Sequence, residues 1–350
     1  MEELKFDPDG VGVANGSFFG LPFSQANARL VLISVPWDVT VSYGAGTVRG
    51  PETILEASTQ LDFYDPIALD AWRRGIATEP IPEDLKLQSE ELRREAERII
   101  THLEAGGDAA DALVREGTAR INEACHQMNL HVARQVERLL QEDHLVGLVG
   151  GDHSTPYGLI RTLGDHHAEF GILHIDAHRD LRVAYEGFEY SHASIMYNVL
   201  RDTPSVKRLV QVGVRDFCEQ EADLARDDER IRSFTDMDLA REAFAGTTWQ
   251  EQCRRIVDEL PREVYVSFDI DGLSPDNCPH TGTPVSGGLS FNQAVWLLKT
   301  LAESGRRIIG FDVVEVAPAQ AEDDRTDAIT GARILWKLAS LTLKADEAVR

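Results

Sequence analysis

Three short stretches put carboxylates and imidazoles where they could share a cation. "GGDHS" carries Asp152 and His153, "DAHRD" carries Asp176, His178 and Asp180, and "SFDIDG" carries Asp269 and Asp271. A fourth, "FDVVEV", adds Asp312 and Glu315. Asp176, His178 and Asp180 are spaced by two, as are Asp269 and Asp271, so on an extended strand end each set projects to one side. Carboxylates placed side by side repel and raise each other's pKa. Four of them converging with imidazoles make sense if cations sit between them. Strand-end caps and turn residues explain any one stretch, but explain three in order much less well. The donors are mostly hard oxygens with no thiolate, which favours Mn²⁺ over a structural Zn²⁺, with Ni²⁺, Co²⁺ or Fe²⁺ as alternatives. Six ligands exceed what one ion needs, so the set suits two metals about 3.5–4 Å apart.

Such residues need elements that bring them together. "LVGLVGGDHS", "FGILHIDAHRD", "VKRLVQVGVRD", "EVYVSFDIDG" and "RRIIGFDVVEV" each begin with apolar or β-branched residues and end in polar ones. Helical patterns such as "FNQAVWLLKTLAESG" separate several of them. Alternating strand and helix predict βαβ units and a parallel sheet covered on both faces. Ligands of open α/β sheets bind outside the carboxyl ends of the strands, where these polar groups lie. An earlier strand is expected in residues 28–37, followed by a Gly-rich loop and a helix opened by Pro51. Residues 82–143 read as two or three charged helices divided by "AGGDAAD". The polar strand ends spread from 150 to 315 and need a common site, so one domain over 1–350 is expected. It carries an N-terminal extension of about 1–27 and a helical insert of about 82–143.

Composition narrows the function classes. Asp and Glu total 59 against 35 Lys and Arg, a net charge of −24. Nucleic acid is repelled by such a surface. No run approaches the ~20 apolar residues that span a bilayer, and the acidic opening "MEELKFDPDG" has no secretory h-region. Cys125, Cys218, Cys253 and Cys278 lack CxxC spacing and read as reduced thiols. A cytoplasmic protein without membrane or nucleic-acid partners is expected. Only six of the basic residues are Lys, which fits either a surface tuned to high salt or a merely acidic protein. A melting curve against KCl separates the two: maximal stability in low salt excludes the first.

The order "GGDHS", "DAHxD", "SFDIDG…TGTPVSGG", with "PWDVTVSYGAGTVRGP" near the N-terminus, resembles the ureohydrolase family of arginases, agmatinases and related guanidino hydrolases. The likeness covers most of the chain outside the first ~25 residues and the 82–143 insert. It implies a single three-layer α/β domain with a mainly parallel eight-stranded sheet, assembled as a trimer or hexamer. It implies two Mn²⁺ ions: His153 and Asp180 on one, His178 and Asp271 on the other, with Asp176 and Asp269 bridging. His192, in "YSHAS", falls where the family has a proton-shuttling histidine. Glu315 matches the carboxylate that holds the guanidinium, and Thr283 a residue near the substrate. Asp180, His192 and Glu315 are thus the expected catalytic set.

The chemistry agrees with that assignment. A guanidinium carbon is a poor electrophile, and a metal can bring the pKa of bound water from about 15.7 to about 7. A metal-bridging hydroxide is then the expected nucleophile. Four Asp, two divalent ions and that hydroxide leave a cluster formally near −1, which with Glu315 suits a small cationic guanidino substrate. His192 could protonate the leaving nitrogen.

Of the other histidines, His166 and His167 read as solvated, His174 as either a core residue or a support for Asp176, and His280 as a packing residue or an edge of the site. Asp152 reads as a support beside the ligand His153. The far end of the substrate is less legible. Arginases have Asn where this chain has Arg182, which could pair with a substrate carboxylate, fill the pocket, or pair with a protein carboxylate. Ser274 replaces the Asp usual in the family's "DxxDP" and leaves the metals unaffected.

The leading expectation is therefore an agmatinase-like hydrolase acting on agmatine, a guanidino acid or guanidine. Formiminoglutamate and arginine are the alternative substrates. A deacetylase-like amide hydrolase would need one zinc and not His153, and a non-catalytic metal-binding protein should have lost a ligand. All six ligands are present.

Overall fold

The computed structural model describes residues 6–321 and 323–349. Eight strands alternate with helices along the chain: β1 Leu30–Val35, α1 Gly50–Ser58, β2 Ile76–Thr78, α2 Glu83–Glu104, α3 Ala112–Gln141, β3 Leu145–Gly150, α4 Tyr157–His166, β4 Phe170–Ile175, α5 Ile195–Asp202, β5 Val206–Val212, α6 Glu219–Asp227, β6 Ile231–Phe234, α7 Asp236–Phe244, α8 Trp249–Asp258, β7 Glu263–Asp269, α9 Phe291–Ala302, β8 Arg307–Val314 and α10 Thr326–Val349. The strands form one sheet in the order β2-β1-β3-β8-β7-β4-β5-β6, and every pairing is parallel.

Alternation along the strands divides the core into two layers, as the two-residue strand period requires. Leu30 and Leu32 of β1 face the side packed by α1, α8, α9 and α10. Val31, Ile33 and Val35 face the side packed by α2, α3, α4 and α5. Both faces are buried, so β1, β3 and β4 read as unbroken apolar runs rather than as alternating ones. The 82–143 segment is two long helices, whose Ile99, Ile100, Ile121, Cys125 and Met128 share the second layer. Burying each large apolar side chain of that kind contributes about 1.5–3 kcal/mol. Residues near the N-terminus pack an aromatic cluster, with the Phe19 ring 4.9 Å from Trp336 and Phe6 5.3 Å from Phe63.

The order of strands decides where the polar ends go. The four strands that end in "GGDHS", "FDVVEV", "SFDIDG" and "DAHRD" are β3, β8, β7 and β4, the central four neighbours of the sheet. Their ends are in step: Val149 pairs with Val313, Val313 with Phe268, and Phe268 with Ile175. Residues 45 to 164 positions apart in sequence therefore emerge side by side. β2 and β6 are not foreseen from the sequence. Both are short flank strands, and "IAT" and "IRSF" carry too few residues to show a period.

Candidate metal centre

Glycines let the strand ends and loops close on one another. A Cβ on Gly151 would lie 2.0 Å from the carbonyl oxygen of Trp37, and one on Gly272 would lie 2.7 Å from the Asp176 nitrogen. The first contact docks the loop after β1 onto the "GGDHS" turn, where the Asp152 amide donates to the Trp37 carbonyl at 2.8 Å. Asp38 braces that loop through its Oδ2, which accepts from the amides of Gly46 and Val48.

His153 lies at the middle of the resulting cluster. Its Nδ1 is 3.0 Å from Asp176 Oδ2, 3.0 Å from Asp180 Oδ2 and 3.1 Å from Asp269 Oδ2. A single ring nitrogen can donate to one oxygen at most, and this one makes no well-directed hydrogen bond. The other ring nitrogen, Nε2, is 2.9 Å from Ser267 Oγ. A second group forms beside it: His178 Nδ1 is 3.1 Å from Asp271 Oδ2 and 3.4 Å from Asp176 Oδ1. Asp176 belongs to both groups, one oxygen to each.

Backbone amides fix the carboxylates. Asp269 accepts from Asp271 N at 2.9 Å, Asp271 accepts from Ala177 N at 3.0 Å, and Asp176 Oδ1 accepts from His178 N. Asp180 and Glu315 adopt φ of 55° and 62°, a left-handed conformation that costs a non-Gly residue roughly 1–3 kcal/mol and clusters at functional sites. Glu315 is further fixed by the His153 amide, which donates to its Oε1 at 2.9 Å, and by the Thr281 hydroxyl, which donates to its carbonyl at 2.7 Å.

The electrostatics are unresolved by protein alone. Burial pushes the Asp269 and Glu315 carboxyls well above the usual range, reinforced by Asp271 and Asp176 for the first and by Asp152 for the second. Burial, then Asp176, pushes Asp180 up to about 6. Enclosure holds the His192 imidazole down to about 3, with the neighbouring His178 acting in the same direction. Cations among the carboxylates would reverse this conflict.

A cleft of about 280 Å³ opens onto the cluster, lined by His153, His178, Asp180, Asp269, Glu315, His192, Thr283 and Arg182, among others. His192 stands on its wall with Nε2 3.4 Å from Ser42 Oγ, and its amide donates to Thr40 Oγ1 at 3.2 Å. Thr283 donates to Asp271 Oδ2 at 3.4 Å. Arg182 has a protein partner: its Nε is 3.8 Å from Glu221 and its guanidinium lies over the Tyr185 ring at 4.6 Å.

Several residues fall outside the cleft. His280 pairs with Asp327 at 2.7 Å and does not line it. His166 and His167 pair with Glu137 and Glu263. Asp152 accepts from Ser154 and Thr40 and supports the turn. His174, Gln211, Arg179 and Ser267 support the cluster from behind; of these the sequence offers a supporting role for His174 alone and leaves Arg179 without one. Gln211 was visible as a polar residue inside the apolar run "VKRLVQV".

A family model described as the Arginase family matches residues 28–340. Among curated relatives, an N(1)-aminopropylagmatine ureohydrolase of Thermus thermophilus is 33% identical over 299 residues, 85% of each chain. An agmatinase of Escherichia coli is 28% identical over 333 residues, 93% of each. Among solved structures, the agmatine ureohydrolase of Thermoplasma volcanium superposes with a TM-score of 0.70 at 20% identity, covering 95% of this chain and 96% of that one.

Proposed function

The chain belongs to the arginase family, and from that premise we propose that it is a dinuclear-metal hydrolase that cleaves a guanidino C–N bond and releases urea. His153, Asp180, Asp176 and Asp269 would hold one ion, and His178 and Asp271 with the same two bridging carboxylates the other. Oxygen-rich donors favour Mn²⁺, with Ni²⁺ or Co²⁺ as substitutes. One observation carries this reading. The buried Nδ1 of His153 faces three carboxylate oxygens within 3.1 Å without a hydrogen bond. With the Nε2 proton given to Ser267, an imidazole lone pair and three carboxyl groups point at one spot, an arrangement that a bound cation would stabilise.

Bound divalent ions would supply a water molecule acidified towards neutral pH. The chain's own residues do the rest. Glu315, buried and fixed by the His153 amide, is placed to hold a guanidinium, whose charge would keep its carboxylate ionised. The neutral His192 imidazole takes up a proton before it can give one, so it suits a shuttle to the leaving nitrogen. Thr283 orients Asp271 at the same wall.

Arg182 decides how the tail of the substrate is read. Since Glu221 and Tyr185 occupy it, it is not an open cation, and an amine-tailed substrate meets less repulsion than the sequence alone implied. This supports agmatine or an extended agmatine ahead of guanidino acids and guanidine, in keeping with the names of the relatives. A homo-oligomer, trimer or hexamer, acting in the cytoplasm completes the proposal. No helix among the described residues is long and apolar enough to cross a membrane.

The test is urea release by protein loaded with Mn²⁺ or Ni²⁺, offered arginine, agmatine, guanidinobutyrate, guanidinopropionate and guanidine. Agmatine should turn over fastest. Silence on every guanidino compound at full metal loading rejects the proposal.

A further inference from the structure

Behind the cluster, a chain of buried polar side chains runs from the cleft wall to Asp176. Arg179, 6% exposed, places its guanidinium 4.1 Å over the ring of Phe217, which lines the cleft. Its Nη1 donates to Gln211 Oε1 at 3.0 Å and to Ser233 Oγ at 2.8 Å. Gln211 Nε2 donates to the Arg179 carbonyl at 2.8 Å and lies 3.2 Å from His174 Nδ1. His174 Nε2 is 2.8 Å from Asp176 Oδ2.

Donor and acceptor chemistry leaves this chain one direction. A guanidinium only donates, so the Gln211 atom facing it must be the oxygen. The atom facing the Arg179 carbonyl must then be the amide nitrogen. That NH₂ also faces His174 Nδ1, so Nδ1 accepts. A neutral imidazole with an accepting Nδ1 carries its proton on Nε2, and that proton is donated to Asp176 Oδ2.

We infer that Arg179 and Gln211 are positioning residues that lock His174 as the Nε2–H tautomer, making it an orienting donor to Asp176 and not a metal ligand. His174 sits close enough to His153, Asp176 and Asp180 to be a fourth donor of that group, so the alternatives differ. In the locked tautomer, one lone pair of Asp176 Oδ2 is occupied from behind. The other is directed at the point that His153 Nδ1 also faces. The inference rests on the reading of Asp176 as a bridging metal ligand, but its tautomer claim concerns the metal-free chain.

The experiment uses the whole chain with ¹⁵N-labelled histidine. Long-range ¹H–¹⁵N spectra separate protonated from unprotonated ring nitrogens, and His174→Gln identifies the resonances by their loss. Metal-free wild type should show His174 protonated at Nε2 only, and Zn²⁺, a diamagnetic probe, should leave that proton in place. Gln211→Glu offers Nδ1 an acceptor and should move a proton onto it. Gln211→Leu should weaken Mn²⁺ binding by about tenfold, the lower end of the range for a direct partner of a metal ligand, because it acts through His174, with the melting temperature of the metal-free protein read in parallel.

A proton on Nδ1 in wild type, or loss of the Nε2 proton on Zn²⁺ binding, overturns the inference. So does unchanged Mn²⁺ affinity in both Gln211 variants. If wild type binds no metal while the tautomer holds, the reading of Asp176 fails and the relay stands.

Discussion

The cleft has two ends built to different tolerances. At the deep end His153, Asp176, Asp269 and Asp271 are 0–3% exposed, and strand-end amides hold the carboxylates. At the outer end the Arg182 side chain is 35% exposed and held to Glu221 at 3.8 Å, while Phe217 is 38% exposed. The deep end is over-determined by the sheet. The outer end is set by loops, through one long ion pair and a ring stack of the kind worth about 0.5–1 kcal/mol where exposed. A rigid floor under a loop-built wall would let one chemistry serve different substrate tails.

Four substitutions sharpen or break that contrast. Asp176→Asn removes the carboxylate shared by both groups and should drop urea release to background, with metal analysis showing fewer than two ions per chain. Two retained ions would contradict its bridging role. Glu315→Gln should lower kcat/KM for agmatine by roughly 10²–10³-fold, the scale of one lost electrostatic contact in an enclosed site, with metal content unchanged. Arg182→Asn should shift the ratio of kcat/KM between agmatine and guanidinobutyrate by about tenfold, near 1.4 kcal/mol. Equal ratios in the two proteins would remove Arg182 from substrate choice. His280→Ala should leave steady-state kinetics as they were and cost about 1–3 kcal/mol in stability through the stranded Asp327, read as a lower melting temperature.

The same contrast explains what was legible beforehand. Asp176, His178 and Asp180 announced themselves as charged groups crowded at the end of an apolar run, although they lie in the turn after β4, with Asp180 at φ 55°, and not on an extended strand. The strand runs were legible because a sheet covered on both faces is apolar throughout. Arg182 stayed ambiguous, because its ion-pair partner Glu221 comes from α6, far along the chain. Gln211 and Arg179 act only through His174, a contact that depends on the register between β4 and β5. The edge strands β2 and β6 escaped because three or four residues show no period.

Sheet order has a further consequence, for the birth of the protein. The hydrogen bond between His153 and Glu315 spans 162 positions, and β3 pairs with β8 only after nearly the whole chain exists. Contacts of such separation form slowly, since loop-closure entropy must be overcome first. A nascent chain emerging from the ribosome would hold "GGDHS" and "DAHRD" long before "SFDIDG" arrives to complete the set. Assembly of the His/Asp cluster is therefore a late event of folding, and a chain that lacks "SFDIDG" carries an incomplete cluster.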